Sequence, residues 1–169
     1  MDSNASFSKI IELLTTIGNA HVDIVDTFRF NSLELSGALK KGLNATVMLL
    51  DAIEVQPDGS EKVSAHRNQC AITILGKKDV STARIDNHDA QNEVIDHCQA
   101  IAFEVAARLL YEASFVEKKW LYGNITKNSF SYYKVGPVFT DSLYGYRCEF
   151  PLKSIENYTI DKEKWIDIN

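Results

Sequence analysis

The sequence contains few cysteines and no long apolar run, and each shortage argues against a class of protein. Its three cysteines, at positions 70, 98 and 148, are too few and too widely spaced for a disulfide framework or a paired-cysteine metal site. We expect them to be small buried residues in a reducing cytoplasm. No apolar run reaches the roughly 18 residues of a membrane-spanning helix, and the first residues, MDSNASFSK, do not have the pattern of a secretory signal.

Positive charge is also scarce. The net charge is −5, and the longest basic clusters are the dipeptides Lys77-Lys78 and Lys118-Lys119. This balance disfavours a protein whose main role is to grip nucleic-acid phosphates. The hydrophobic fraction of 45% and the charged fraction of 24% are those of an ordinary globular chain. We therefore predict one domain over residues 1–152 and a C-terminal tail over residues 153–169.

Motifs for catalysis and for cofactor binding are missing as well. His88 and His97 lie on a predicted helix but are nine residues apart, whereas a helical zinc pair is four residues apart. The acid-rich segment 86–93 suits the N-terminal turn of a helix better than a metal site. We find no glycine-rich phosphate loop and no nucleophile elbow. We predict no catalytic, cofactor-binding or metal-binding residue, and an enzyme with a site assembled from scattered residues stays open as an alternative.

The first half of the chain predicts a helix, a short irregular region and a β-hairpin. Gly18 stands where the first helix is expected to end, and Asn31 with Glu34 indicates a short capped helix over about 31–39. The segments ATVMLLDAIEV (45–55) and RNQCAITIL (67–75) predict two strands joined by a long polar tip. The first helix is indicated by apolar residues at helical spacing: Phe7, Ile10, Ile11, Leu14 and Ile17.

The second half predicts one long helix and a second hairpin. A broad apolar stripe from about 87 to 113 indicates a helix that packs across a sheet. Residues 132–152 predict two strands, and the second strand has alternate residues on one face: Tyr144, Tyr146, Cys148, Phe150 and Leu152. The predicted fold class is α+β, with an antiparallel sheet built from two β-hairpins and packed against the N-terminal helix and the long helix.

The aromatic residues of the second hairpin allow two interpretations. Nucleic-acid bases stack on aromatic side chains, but such platforms have basic neighbours, and only Lys134 and Arg147 lie nearby in this segment. Tyrosine is also favoured at protein–protein interfaces, where its ring is buried against a partner and its hydroxyl group stays in contact with water. We therefore interpret this aromatic set as sheet core plus subunit interface.

The order of elements over residues 5–152 resembles the tail terminator and tail-completion proteins of long-tailed bacteriophages, including the lambda minor tail protein U family. The segment KVGPVFTDSLYGYRCEFPL is similar to the closing strands of small phage neck proteins, where a polar loop leads to an aromatic-Gly-aromatic strand. The likeness is one of layout and includes no signature motif. It implies a structural virion protein without catalytic residues, which forms a ring, commonly sixfold, between the tail tube and the head-proximal connector.

The resemblance implies a set of contacts. The hairpin tip would face a neighbouring subunit or the lumen, and the C-terminal tail would dock on an adjacent subunit or a partner, with docking on its own subunit as the alternative. Genomic DNA would pass through an acidic lumen without specific binding. The protein would be assembled in the host cytoplasm and located in the tail or neck of the virion; a small monomeric binding module of the immunity or adaptor type is the alternative. The predicted interface residues are Asp58, Gly59, Glu61, Tyr132, Tyr144, Tyr146, Trp165 and Ile168.

Overall fold

The computed structural model describes residues 4–29, 45–51, 53–58, 65–77, 88–138, 143–155 and 160–167. The predicted short helix over 31–39 lies outside these residues. None of the helices in the described ranges is long and apolar enough to cross a membrane. In chain order the elements are α1 (Phe7–Ala20), β1 (Asp26–Arg29), β2 (Val47–Leu50), β3 (Glu54–Pro57), β4 (Ala65–Lys77), α2 (His88–Glu112), β5 (Ser131–Val138) and β6 (Leu143–Ile155), with 3-10 turns at Lys127–Ser129 and Lys162–Lys164.

The strands form one sheet in the order β1-β2-β4-β6-β5, and β3 also pairs with β4. β2 pairs with residues 72–75 of β4 and β3 with residues 66–69, so the two behave as one interrupted strand. Both predicted hairpins are present, and the α+β class is confirmed. The pairing of β1 with β2 is parallel, which makes the sheet mixed. The sequence did not indicate this pairing because the apolar alternation of residues 21–30 is imperfect.

The two hairpins are joined through their long strands, β4 and β6. These strands pair over their full length, from Ala65 opposite Ile155 to Lys77 opposite Leu143. A Cβ atom added at Gly145 on β6 would lie 1.8 Å from the Ile74 carbonyl oxygen, so the close approach of the strands requires glycine there. β6 continues three residues past the predicted domain boundary at 152, because residues 153–155 complete the pairing with β4.

α1 packs closely against the sheet. Its N-terminus is capped by Ser6, whose hydroxyl accepts a hydrogen bond from the Lys9 backbone N–H at 3.4 Å. The helix continues through Ala20, so the prediction that it ends at Gly18 is wrong. A Cβ atom at Gly18 would lie 2.2 Å from the Met48 methyl group on β2, which means that this glycine permits close contact between the helix and the sheet.

The main core lies between the sheet and the two helices. The predicted stripe of α2 is confirmed, because Cys98, Ile101, Val105 and Leu109 are all buried. They meet the inward residues of the central strands, which alternate with period two as a half-buried strand requires. The buried core residues of β2, β4 and β6 are Met48, Leu50, Cys70, Ile72, Ile74, Cys148, Phe150 and Leu152.

The opposite face of the sheet is partly apolar and partly ionic. A smaller buried cluster comprises Phe28, Val47, Leu75 and Leu143. Beside it, Arg147 forms ion pairs with Asp51 and Glu149. Burial raises the pKa of Asp51, although the Arg147 guanidinium and a hydrogen bond from the Thr73 hydroxyl act in the other direction.

Candidate assembly interface

The outer edge of β5 is open in the part of the chain that the structure describes. There, β5 pairs with β6 alone and has no neighbour on its other side. The pairing is regular from Ser131 to Val135, and a register shift follows before Val138. Pro137 has no backbone N–H and cannot donate to an added strand. The usable edge is therefore the first five residues of β5, and such an edge is a template for pairing with another chain.

β5 presents aromatic side chains on both faces of this edge. The Tyr132 ring meets the Phe103 ring of α2 edge to face, with centroids 4.7 Å apart, and stacks on Phe130. Burial, and to a smaller extent Cys148, raises the pKa of Tyr132 to about 12, so this phenol stays neutral at physiological pH. Tyr133 points to the opposite face and is 50% exposed. The open strand thus carries one tyrosine packed against its own chain, Tyr132, next to one that is half exposed, Tyr133.

The tyrosines of β6 have a different environment. Tyr144 is 8% exposed, and its carbonyl oxygen accepts a hydrogen bond from the Cys98 thiol of α2. Tyr146 is half-buried and packs against the main core. Both side chains are therefore used largely within their own chain. Of the three tyrosines predicted for the interface, Tyr132 is the one that lies on the open edge.

The base of the first hairpin tip is held by ion pairs. The Asp58 carboxylate accepts hydrogen bonds from Arg67 at 3.1 and 3.3 Å, and the Lys153 ammonium lies 3.9 Å away. The Asp58 backbone N–H donates to the Ala65 carbonyl at 2.7 Å. Asp58 therefore links three strands of its own sheet. Gly59 and Glu61, the other predicted tip residues, lie outside the described residues.

The C-terminal segment exposes large apolar side chains. A 3-10 turn at Lys162–Lys164 is capped by Asp161, whose carboxylate accepts a hydrogen bond from the Glu163 backbone N–H at 3.3 Å. Trp165 follows the turn and is 56% exposed, and Ile166 is fully exposed. Ile168 lies outside the described residues. A short segment with an exposed indole and an exposed isoleucine has the composition of an interaction surface.

A cleft of about 300 Å³ separates α1 from the C-terminal end of α2. Glu112 lies at its base, is buried, and binds both Arg108, at 2.8 Å, and Lys118. The hydrogen bond from Lys118, assisted by Arg108, lowers the pKa of Glu112. Sequence analysis missed this site because Lys118 comes from the turn after α2, and only the spacing of four between Arg108 and Glu112 was visible. The lining residues are Lys9, Glu12, Leu13, Thr16, Ile17, Ala20, Arg108, Glu112, Lys118 and Trp120.

The three cysteines are buried in the core, and His21 contacts a carboxylate of α2. Burial raises the pKa of each thiol, Cys70, Cys98 and Cys148, to about 12. All three thiols therefore stay protonated and weakly nucleophilic at neutral pH. His21 lies 2.7 Å from the Glu104 carboxylate and links the end of α1 to α2. Over the described ranges, no group of three or more His, Cys, Asp or Glu side chains is placed to hold a metal ion.

The chain matches no protein-family model and no curated protein. Its function is therefore inferred from its geometry and from the pattern of its sequence. Three features bear on that function: the open edge of β5, the exposed C-terminal segment 160–167, and the cleft between α1 and α2.

Proposed function

We propose that this chain is a structural subunit of a bacteriophage virion, which assembles with copies of itself into a ring at the head-to-tail neck. There it terminates the tail tube or joins it to the head-proximal connector. The observation that carries the proposal is the open edge of β5, where unpaired backbone groups adjoin the exposed ring of Tyr133. An edge of this kind is stabilised when another copy of the chain covers it.

A ring requires two different patches on each subunit, because identical patches close after a dimer. The sheet offers a second patch at β3, which is exposed along its length and has β4 as its described neighbour. Glu54 on β3 and Lys134 on β5 carry opposite charges. Contact between β5 of one copy and β3 of the next is head to tail, the type of contact that generates a ring when the rotation between copies closes.

The charge and the layout of the chain support a neck location. A net charge of −5 suits a passage for DNA, because an acidic wall does not retain phosphates. The order of an N-terminal helix, a hairpin, a long helix and a second hairpin resembles that of phage tail terminator proteins. The resemblance supports the ring, its sixfold symmetry and its tail-tube and connector partners as parts of the same proposal.

The proposal is tested by light scattering coupled to size-exclusion chromatography over a range of protein concentrations. We expect the wild type to form a closed oligomer, visible as a ring by negative-stain electron microscopy. Tyr133→Lys places a charge on the open edge of β5 and is expected to shift the protein to monomer. The matched control is Tyr122→Lys, because Tyr122 has nearly the same exposure, 49%, but lies outside the sheet.

Two results would contradict the proposal. A wild type that stays monomeric at all concentrations favours the alternative of a small monomeric binding module. An oligomer that survives Tyr133→Lys as well as it survives Tyr122→Lys removes β5 from the interface. The virion location is tested separately, by whether the gene lies beside genes for portal, tail tube or sheath proteins.

A further inference from the structure

We propose that residues 160–167 of one copy dock into the cleft between α1 and α2 of the neighbouring copy, with Trp165 as the anchor. The inference rests on the proposed assembly of identical subunits, and it names a second contact that is independent of the β5 edge. Two observations lead to it. Trp165 and Ile166 stay exposed within the chain, and the cleft presents an apolar wall that is open to solvent.

The shape of the cleft suits one large side chain. Its volume of about 300 Å³ lies at the lower end of the roughly 300–1,000 Å³ of ordinary ligand pockets. Leu13, Ile17 and Ala20 of α1 form one wall, and Trp120 forms part of the other. An indole that enters this space would meet aliphatic groups on one side and another indole on the other, and aromatic side chains favour both contacts.

The charges of the two surfaces are complementary. The cleft carries three cations against two carboxylates, and Glu112 is buried and paired with two of those cations, Arg108 and Lys118, so the lining has a net excess of one positive charge. The C-terminal segment carries the reverse excess, because Asp161, Glu163 and Asp167 outnumber its two lysines. An apolar anchor flanked by acids therefore fits an apolar wall with a cationic rim, and this match sets the orientation of the segment.

The arrangement also accounts for the position of Arg108 and Lys118. Glu112 holds both side chains at the rim of the cleft, with Arg108 Nε 2.8 Å from the carboxylate. Arg108 also lies over the ring of Tyr111, 5.4 Å from its centroid. These contacts fix the cationic rim in advance, so the rim loses little conformational freedom when a segment docks.

Cysteine cross-linking between copies tests the docking. Thr16→Cys places a thiol on the exposed wall of the cleft, and Lys164→Cys places one beside the anchor. The native cysteines are buried, and burial raises the pKa of each, so they will not compete. When the two single variants are mixed under mild oxidation, we expect a disulfide-linked dimer that neither variant forms alone.

The control replaces the cleft thiol with Asn19→Cys, because Asn19 is exposed on the same helix but does not line the cleft. We expect at least tenfold less heterodimer from that mixture. Equal yields from Thr16→Cys and Asn19→Cys would overturn the inference. So would a disulfide within single chains of the double variant Thr16→Cys/Lys164→Cys, since it would mean that the segment docks on its own subunit.

Filling the cleft gives a second test. Thr16→Trp and Trp165→Ala should each weaken assembly at least tenfold, whereas Asn19→Trp and Trp165→Phe should have little effect. Light scattering on the same samples separates the two proposals. If Trp165→Ala forms rings normally and the mixture of Thr16→Cys and Lys164→Cys gives no cross-link, the docking is ruled out and the ring is not. A wild type that forms no oligomer, together with no cross-link in the mixture of Thr16→Cys and Lys164→Cys, removes both proposals.

Discussion

The two strands of the C-terminal hairpin, β5 and β6, have similar aromatic content but opposite environments. β6 lies between β4 and β5, and Cys148, Phe150 and Leu152 on its inner face are buried. β5 lies at the end of the sheet, and Tyr133 is half exposed. The position of a strand in the sheet, rather than its residue types, therefore decides how far its tyrosines are exposed.

The largest expected effect comes from removing a ring of β6. Phe150 is fully buried, and its ring packs against Phe130 with centroids 5.3 Å apart. We expect Phe150→Ala to lower the free energy of unfolding by about 3–5 kcal/mol, because the cavity cannot close between two paired strands. Urea denaturation followed by circular dichroism measures the loss.

The control is Phe103→Ala on α2, where the ring is partly exposed and touches β5. We expect it to cost about 1 kcal/mol, near the centre of the distribution for single substitutions, because the ring is partly exposed but still packs on Tyr132. If the two variants lose similar amounts of unfolding free energy, the packing on β6 does not stabilise the fold more than the packing on β5, and the comparison between the two strands fails.

The distinction also indicates how much of the fold can be predicted from sequence. The alternation in YGYRCEFPL identifies the inner face of β6, and the stripe on α2 identifies the face that covers it. Strand order is not contained in these local patterns. The pairing of β4 with β6 joins residues about 70–90 positions apart, and it alone makes β6 central and β5 an edge. Tyr132 and Tyr144 consequently look alike in sequence, although one lies at an edge and the other is buried.

The candidate sites show the same limit. The exposed Trp165 was predicted as an interaction residue because an apolar side chain after a polar stretch is visible in sequence. The cleft was not predicted, because its lining combines α1, the end of α2 and the turn that contains Lys118 and Trp120. Gly18 was read as a helix end, since its contact with Met48 depends on packing between distant segments.

A smaller effect is expected at Glu112, which joins α2 to the turn after it. Glu112→Gln removes a buried charge from Lys118 and Arg108, and we expect a loss of about 1.5–3 kcal/mol at neutral pH, the range for hydrogen bonds to charged groups. The contact lowers the pKa of Glu112 below its ordinary value of 4.5. The stabilisation is therefore complete above that value and is lost as the pH falls through the lower pKa of the folded state.

Chemical denaturation of the wild type and of Glu112→Gln between pH 3 and pH 7 checks this expectation. The two stability curves should converge toward acid pH and separate as the pH rises. Asp161→Asn is the control, because its ion pair with Lys164 is exposed and worth at most about 0.5 kcal/mol. A constant gap between the curves would mean that the ionisation of Glu112 does not stabilise the fold.

The smallest effect on folding is expected at Tyr133. Its substitution tests most directly whether β5, unlike β6, is exposed for contact with another copy. Tyr133→Ala removes a half-exposed ring from the open edge, so we expect the free energy of unfolding of the monomer to change by less than about 0.5 kcal/mol. Binding between native copies raises the melting temperature with concentration, because only the folded state assembles. Differential scanning calorimetry should therefore show a melting temperature that rises with concentration in the wild type and stays nearly constant in Tyr133→Ala. At low concentration the two proteins should melt together, and a lower melting temperature of the variant there would mean that Tyr133 stabilises its own sheet instead of a neighbouring copy.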